Sequence, residues 1–157
     1  MGNEIPQIIE WNEERELDWF LLKYPIHDAT HRYLKDLNAF YKKHSELWQL
    51  DGGWSGFRWH EVQDIWNNVF AFSRINESGD EILVISNFSG NLIRNYKLGV
   101  SKWGSYKVVL NSDARKYNGS GLINRALHTK TQPHKEFDYT LEVNVPPFST
   151  LYIINNN

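Results

Sequence analysis

Two histidines, His27 and His31, stand four residues apart. On a helix that spacing presents both imidazoles to one side, as a bound metal ion needs. The residues between them are Asp28, Ala29 and Thr30, so the glutamate of a helical zinc-hydrolase pair is missing, and solvated or packing histidines are the favoured reading. Four carboxylates, Glu13, Glu14, Glu16 and Asp18, crowd the segment before them. A carboxyl pair can share acid–base work on a glycosidic bond. With no pocket legible, the plainer account is a solvated loop and a first helical turn.

Aromatic residues offer a different chemistry. Six of the seven tryptophans lie between Trp11 and Trp66, and only Trp103 lies beyond them. Trp48, Trp54, Trp59 and Trp66 could form a flat platform for the C–H faces of sugar rings. Alternatively they seal a seam between a helical and a β part, where large aromatics carry much of the energy, and the seam is the reading preferred here. Asn111, Ser112 and Asp113, with Gly119, Ser120 and Gly121, could make a polar binding loop, although such residues more often build turns. The sequence contains no phosphate loop, nucleophile elbow or dinucleotide fingerprint.

The elements that would carry these groups differ along the chain. Glu16 to Leu22 suggests a short helix stopped by Pro25. A clearer helix is expected over 27–43, with Tyr33, Leu34, Leu37, Phe40 and Tyr41 as its apolar stripe. Asp28 near its start and Lys42 and Lys43 near its end suit the helix dipole. The Asp51–Gly53 run breaks helix, and from about Phe57 the pattern becomes that of strands. Strands are expected over 69–75, 82–88, 95–100, 105–111, 139–145 and 149–154, with Asn76 to Asp80 as a hairpin loop. Pro146 and Pro147 mark an edge or a crossing between sheets. Residues 113–136 read as a long surface loop. This is the pattern of a mainly β chain, an antiparallel β-sandwich behind a short helical segment.

Composition sets bounds. At 157 residues, 41% hydrophobic and 15% aromatic, the chain can bury a core. A net charge of -2 gives no footprint for nucleic acid or an anionic membrane. No apolar run reaches the ~20 residues a membrane span requires, and the N-terminus has no signal-peptide pattern. The chain has no cysteine, which excludes disulfides and thiolate metal sites and suits a cytoplasmic protein.

A collinear set of motifs goes further. The run from Met1 to Ile5, Gln7, Glu10 to Asn12 and Leu17 to Trp19 is followed by Tyr24, Pro25 and His27, then by Asp36 to Tyr41. Gly56, Phe57 and Trp59, Asn87 and Phe88, and Leu110 to Asp113 with Tyr117, Gly119 and Gly121 complete the set. Along its whole length the chain resembles the C-terminal part of bacterial 1,4-alpha-glucan (glycogen) branching enzymes, of the alpha-amylase superfamily. The resemblance implies that residues 1–50 are the tail of a catalytic (β/α)8 barrel and that 51–157 are the superfamily's C-terminal all-β domain. It implies that Met1 is an internal methionine of the parent rather than a natural start.

Such enzymes move alpha-1,4-linked glucan onto alpha-1,6 linkages by a retaining double displacement, using two aspartates and a glutamate. The motifs carrying that trio are not in this sequence, so no catalytic residue and no metal or other cofactor is assigned. Glu4, Glu10, Trp11 and Asn12 are expected to border the glucan (glycogen or amylose) cleft of the intact enzyme. Pro6 replaces the glycine or alanine usual in the family, which puts the local loop geometry in question. With the barrel missing, Leu34, Leu37, Phe40 and Tyr41 are expected to pack on the sandwich or on a second chain. The alternative to this stabilising role is a non-catalytic glucan-binding module that uses surface tryptophans.

Overall fold

The computed structural model describes residues 2–156, a helical lead-in followed by eight antiparallel strands. The short helix expected over 16–22 is a 3-10 helix, Trp19–Lys23, beginning three residues later. Pro25 separates that turn from α1 (Pro25–Lys43) by being the first residue of α1. Proline fits there because first-turn N–H groups have no intrahelical acceptor and its fixed φ is already helical. The helix therefore starts two residues earlier than its apolar stripe suggested.

One stripe of α1 lies on the β part. The Tyr33 ring meets Tyr117 edge-on at 5.1 Å, and Phe40 meets Tyr152 at 5.3 Å. Between them Asp36 accepts hydrogen bonds from Tyr117 Oη at 2.6 Å and Lys116 Nζ at 2.7 Å. Leu34 and Leu37 are half-buried along the same line. Tyr41 departs from the expectation: it is 46% exposed, pointing away from the strands.

The strands are β1 (Phe57–Asp64), β2 (Val69–Ile75), β3 (Glu81–Asn87), β4 (Ile93–Val100), β5 (Ser105–Asn111), β6 (Leu127–Lys130), β7 (Tyr139–Val145) and β8 (Ser149–Asn155). Their hydrogen-bonded order is β1-β2-β3-β8-β5-β6-β7-β4. The chain of strands folds over, so that β1 approaches β4, and β3 and β8 lie against β7. The result is a sandwich of two layers joined at β6. Its core holds Val69, Ala71, Leu83, Ile85, Leu98, Val100, Leu141, Val143, Val145, Leu151 and Ile153. Alternation in β7 and β8 turns one face of each strand inward, as a period of two requires. Strand β3 is buried on both faces at Ile82, Leu83, Val84 and Ile85, which explains its continuous apolar run.

Asn76 to Asp80 closes the β2–β3 hairpin as expected, with Asn76 Oδ1 accepting from Asp80 N at 2.8 Å. Pro146 and Pro147 fall where the chain passes from β7 in one layer to β8 in the other. The region 113–136 corrects the expectation of a loop without structure. It holds a 3-10 turn, Arg115–Tyr117, and β6, whose Leu127 and His128 pair with β5 while Thr129 and Lys130 pair with β7. Four residues shared between two partners leave too short a signature to read in sequence. Strand β1 begins at Phe57, where the strand pattern was expected to start, but its extent was not legible because its inward residues are polar: His60 and Glu61.

Gly99 in β4 shows how tightly a later loop crosses the sandwich. A Cβ at that position would lie 2.6 Å from both His134 O and the Phe137 ring. Only glycine admits so close a backbone approach.

Candidate functional site

Residues 2–18 form no regular element, so something must hold them to α1. The two histidines do it: His27 Nδ1 donates to Ile5 O at 2.9 Å, and His31 Nδ1 donates to Glu4 O at 3.2 Å. The i, i+4 pair therefore caps two carbonyls of the N-terminal segment. Ile5, fully buried, plugs the junction. Among the described residues, no group of three histidine, aspartate or glutamate side chains converges to hold a metal. Among the described residues, no helix is long and apolar enough to cross a membrane.

Beside this junction runs an open groove of about 630 Å³. Ile8, Ile9, Phe20, Tyr24 and Ile26 line it, and Arg15 and Asp18, paired at 2.8 Å, give it a polar rim. Ile8 is 84% exposed and Ile26 61%. Water-facing apolar side chains gathered in one concave surface mark a contact region rather than a solvated loop. The residues expected at a glucan cleft lie on the same segment but are not brought together. Glu4 is half-buried, whereas Glu10, Trp11 and Asn12 are exposed. Asn12 Oδ1 accepts from Glu14 N at 2.8 Å, a local turn bond. Pro6 sits at φ 20°, far from the ring's relaxed value, so the loop here is bent in a way that proline resists.

None of the carboxylate groupings is arranged for acid–base work. Glu13, Glu14 and Glu16 are exposed, and Asp18 is bound to Arg15. A second grouping, invisible in sequence because its members are far apart, joins β1 to β4 and to the 131–138 loop. Tyr96 Oη donates to Asp64 at 2.9 Å and, more weakly, to Glu61 at 3.5 Å, while Lys135 Nζ pairs with Glu61 at 2.5 Å. For both acids burial works to raise the pKa. The Lys135 hydrogen bond and two backbone N–H groups outweigh it at Glu61, and the Asn67 bonds do so at Asp64, so both carboxyls sit below the usual range. Glycoside hydrolysis needs one carboxyl held protonated; here both are held ionised.

A third grouping places His60 between a serine and a glutamate. His60 Nδ1 donates to Gly99 O at 2.7 Å, and its Nε2 lies 2.6 Å from Ser73 Oγ. Glu81 Oε1 lies 3.3 Å from the same Nε2, which is already committed to Ser73. A nucleophilic triad needs the acid on the opposite ring nitrogen and an exposed serine, yet Ser73 is fully buried. Each of these groupings ties strands together.

The tryptophans correct the seam reading. Trp54 is 84% exposed, Trp66 92%, and Trp48 and Trp59 are more than two-fifths exposed. Tyr33, Tyr117, Tyr152 and Phe40 build the seam instead. The Asn111–Gly121 loop is a turn scaffold: the Asp113 carboxylate accepts from Ser120 N at 2.8 Å, Ser120 Oγ at 2.7 Å and Leu122 N at 3.1 Å.

Comparison with known proteins matches residues 59–156 to the family described as "Alpha amylase, C-terminal all-beta domain". The chain belongs to this family. The all-beta domain model accounts for β2 to β8 and most of β1, but not for α1 or the segment bound to it. Those parts appear in longer relatives. The chain is 36% identical over 154 residues to the 1,4-alpha-glucan branching enzyme GlgB of Halothermothrix orenii, an alignment covering 97% of this chain and 24% of that enzyme. It is 39% identical over 152 residues to the GlgB of Oceanobacillus iheyensis, covering 95% and 24%. The GlgB of Desulfitobacterium hafniense is 36% identical over 155 residues, covering 98% and 24%. The chain thus spans about a quarter of the length of the curated relatives it matches.

Proposed function

We propose that this chain is the C-terminal scaffold of a 1,4-alpha-glucan branching enzyme, residues 1–50 being the tail of the catalytic barrel and 51–157 the β-sandwich that supports it. The single observation that carries this reading is the apolar groove around Ile8, Phe20 and Ile26, which lies on the part of the chain outside the all-beta domain yet inside the alignment to branching enzymes. A surface this apolar is what a severed interdomain contact leaves behind. The remaining three-quarters of such an enzyme would cover it and would supply the catalytic acids.

In the intact enzyme, Glu4, Glu10, Trp11 and Asn12 would stand beside the glucan cleft, held there by the His27 and His31 bonds to the segment's backbone. The sandwich would act through α1, whose contacts with Tyr117 and Tyr152 fix the segment's position. In the isolated chain the groove is the surface through which copies would associate.

The purified chain incubated with amylose should leave the iodine absorption spectrum unchanged. Loss of long-wavelength absorption, the signature of branching, would overturn the scaffold reading.

A further inference from the structure

Beside the first half of α1, the helix and the sandwich part to leave a cleft of about 360 Å³. The helical side contributes Lys23 and Arg32, and the 3-10 turn Arg115–Tyr117 contributes Arg115 and Lys116. Among the described residues that line it, Asp28 is the one carboxylate. Four cations against one acid stand out in a chain whose net charge is -2. Like charges gathered in a concave surface focus an attractive potential on an anion.

Two of these cations are answered within the chain and two are not. Arg32 Nη2 pairs with Asp28 at 2.6 Å, and Lys116 Nζ pairs with Asp36 at 2.7 Å. Lys116 Nζ also lies 4.6 Å from the centroid of the Tyr117 ring. Among the described residues, the side chains of Lys23 and Arg115 have no hydrogen-bond or ion-pair partner. The turn that carries Arg115 is closed by two backbone bonds, Tyr117 N to Ala114 O at 2.8 Å and Asn118 N to Arg115 O at 3.0 Å. Leu22, Pro25 and Ala29 give the helical wall an apolar surface. A guanidinium fork and an ammonium without internal partners suit a compact dianion, a phosphate group above all. The volume is more than inorganic phosphate fills and falls within the range of sites for small organic ligands, so the apolar wall has an uncharged body to cover. Asp28 and Asp36 beside the cleft, and the acidic balance of the chain, disfavour a nucleic acid or another long polyanion.

We propose that this cleft binds a small phosphomonoester, with Lys23 and Arg115 taking the phosphate and Leu22 and Pro25 meeting the organic body. Such a ligand touches both α1 and the sandwich, so it spans the joint that Asp36 makes with Lys116 and Tyr117. A ligand that binds only the docked helix stabilises docking by mass action. The site is separate from the N-terminal groove and does not depend on the scaffold reading.

A chemical-shift titration of the isotope-labelled 157-residue chain at constant ionic strength tests it, with glucose 6-phosphate, inorganic phosphate and glucose as probes. Millimolar glucose 6-phosphate should shift the amides of residues 22–32 and 115–118 saturably. Inorganic phosphate should bind the same residues more weakly, and glucose should not bind. Lys23→Gln combined with Arg115→Gln should weaken binding of glucose 6-phosphate by about tenfold or more. The unfolding midpoint without ligand should stay unchanged in that variant, since neither side chain is bonded within the chain. Lys35→Gln, at an exposed lysine of α1 outside the cleft, should bind as the parent chain does. No saturable shift, shifts centred elsewhere, equal affinity for inorganic phosphate or for glucose, or an equal loss with Lys35→Gln would each overturn the proposal. These outcomes leave the scaffold reading standing, because that reading fails only if the chain itself branches amylose.

Discussion

Glu81 carries its charge in a place where burial argues against one. Burial alone would raise its pKa, but the adjoining His60 and Ser73 and the charge of Arg58 more than offset this, bringing the carboxyl down to about 2. A carboxyl lowered in the folded state stabilises fully above its ordinary value near 4.5, and that contribution is lost as pH falls from there through about 2. Glu81→Gln should therefore cost about 2–3 kcal/mol at pH 7 and flatten the acid limb between pH 4.5 and 2. Urea unfolding at pH 7, 4 and 2.5 measures both effects. An acid limb as steep as that of the parent chain would show that Glu81 does not govern it. The neighbouring Glu61 and Asp64, both lowered, add to the same limb.

Helix α1 depends on a few aromatic contacts for its place on the sandwich. Its termini are well made, with Pro25 first, Asp28 in the first turn and Lys42 and Lys43 in the last, but such features contribute only tenths of a kcal/mol each. Docking on the sandwich comes from Phe40 against Tyr152 and Tyr33 against Tyr117, with the Asp36 hydrogen bonds between them. Phe40→Ala should lower stability by about 1–3 kcal/mol, less than a fully buried phenylalanine would cost because Phe40 is half-buried. Hydrogen exchange should show the loss confined to residues 2–43, with the amides of β3 and β8 still protected. Uniform loss of protection across the strands would mean that helix and sandwich unfold as one unit.

At the scale of the molecule, the apolar groove lined by Ile8, Phe20 and Ile26 is an unsatisfied surface. Ile26→Ser removes an exposed side chain from it and should leave the unfolding midpoint almost unchanged, within ~0.5 kcal/mol. The same change should reduce binding of an apolar dye and any concentration-dependent association of the chain. If association persists undiminished, copies meet elsewhere, and the groove is not the contact surface proposed for the rest of the enzyme.

The sequence by itself determined most of the sandwich. Local alternation and β-branched runs marked β2, β3, β5, β7 and β8, the Asn76–Asp80 turn and the proline crossing, because each is set by neighbours close in the chain. The ordered motifs from Glu10–Asn12 to Tyr117–Gly121 likewise carried the relationship to branching enzymes. Only the tertiary structure decided which way long-range partners fell. His27 and His31 read more readily as solvated or packing histidines than as metal ligands, but only the fold supplied their partners, Ile5 O and Glu4 O, from 22 and 27 residues away. Strand β6 is too short to carry a period of its own and exists because β5 and β7 both pair with it. Glu61, Asp64, Tyr96 and Lys135 converge across up to 74 residues, a distance no spacing rule spans. Whether a tryptophan seals a seam or faces water depends on what packs over it, and tyrosines of the strands and of the 3-10 turn had already taken that place.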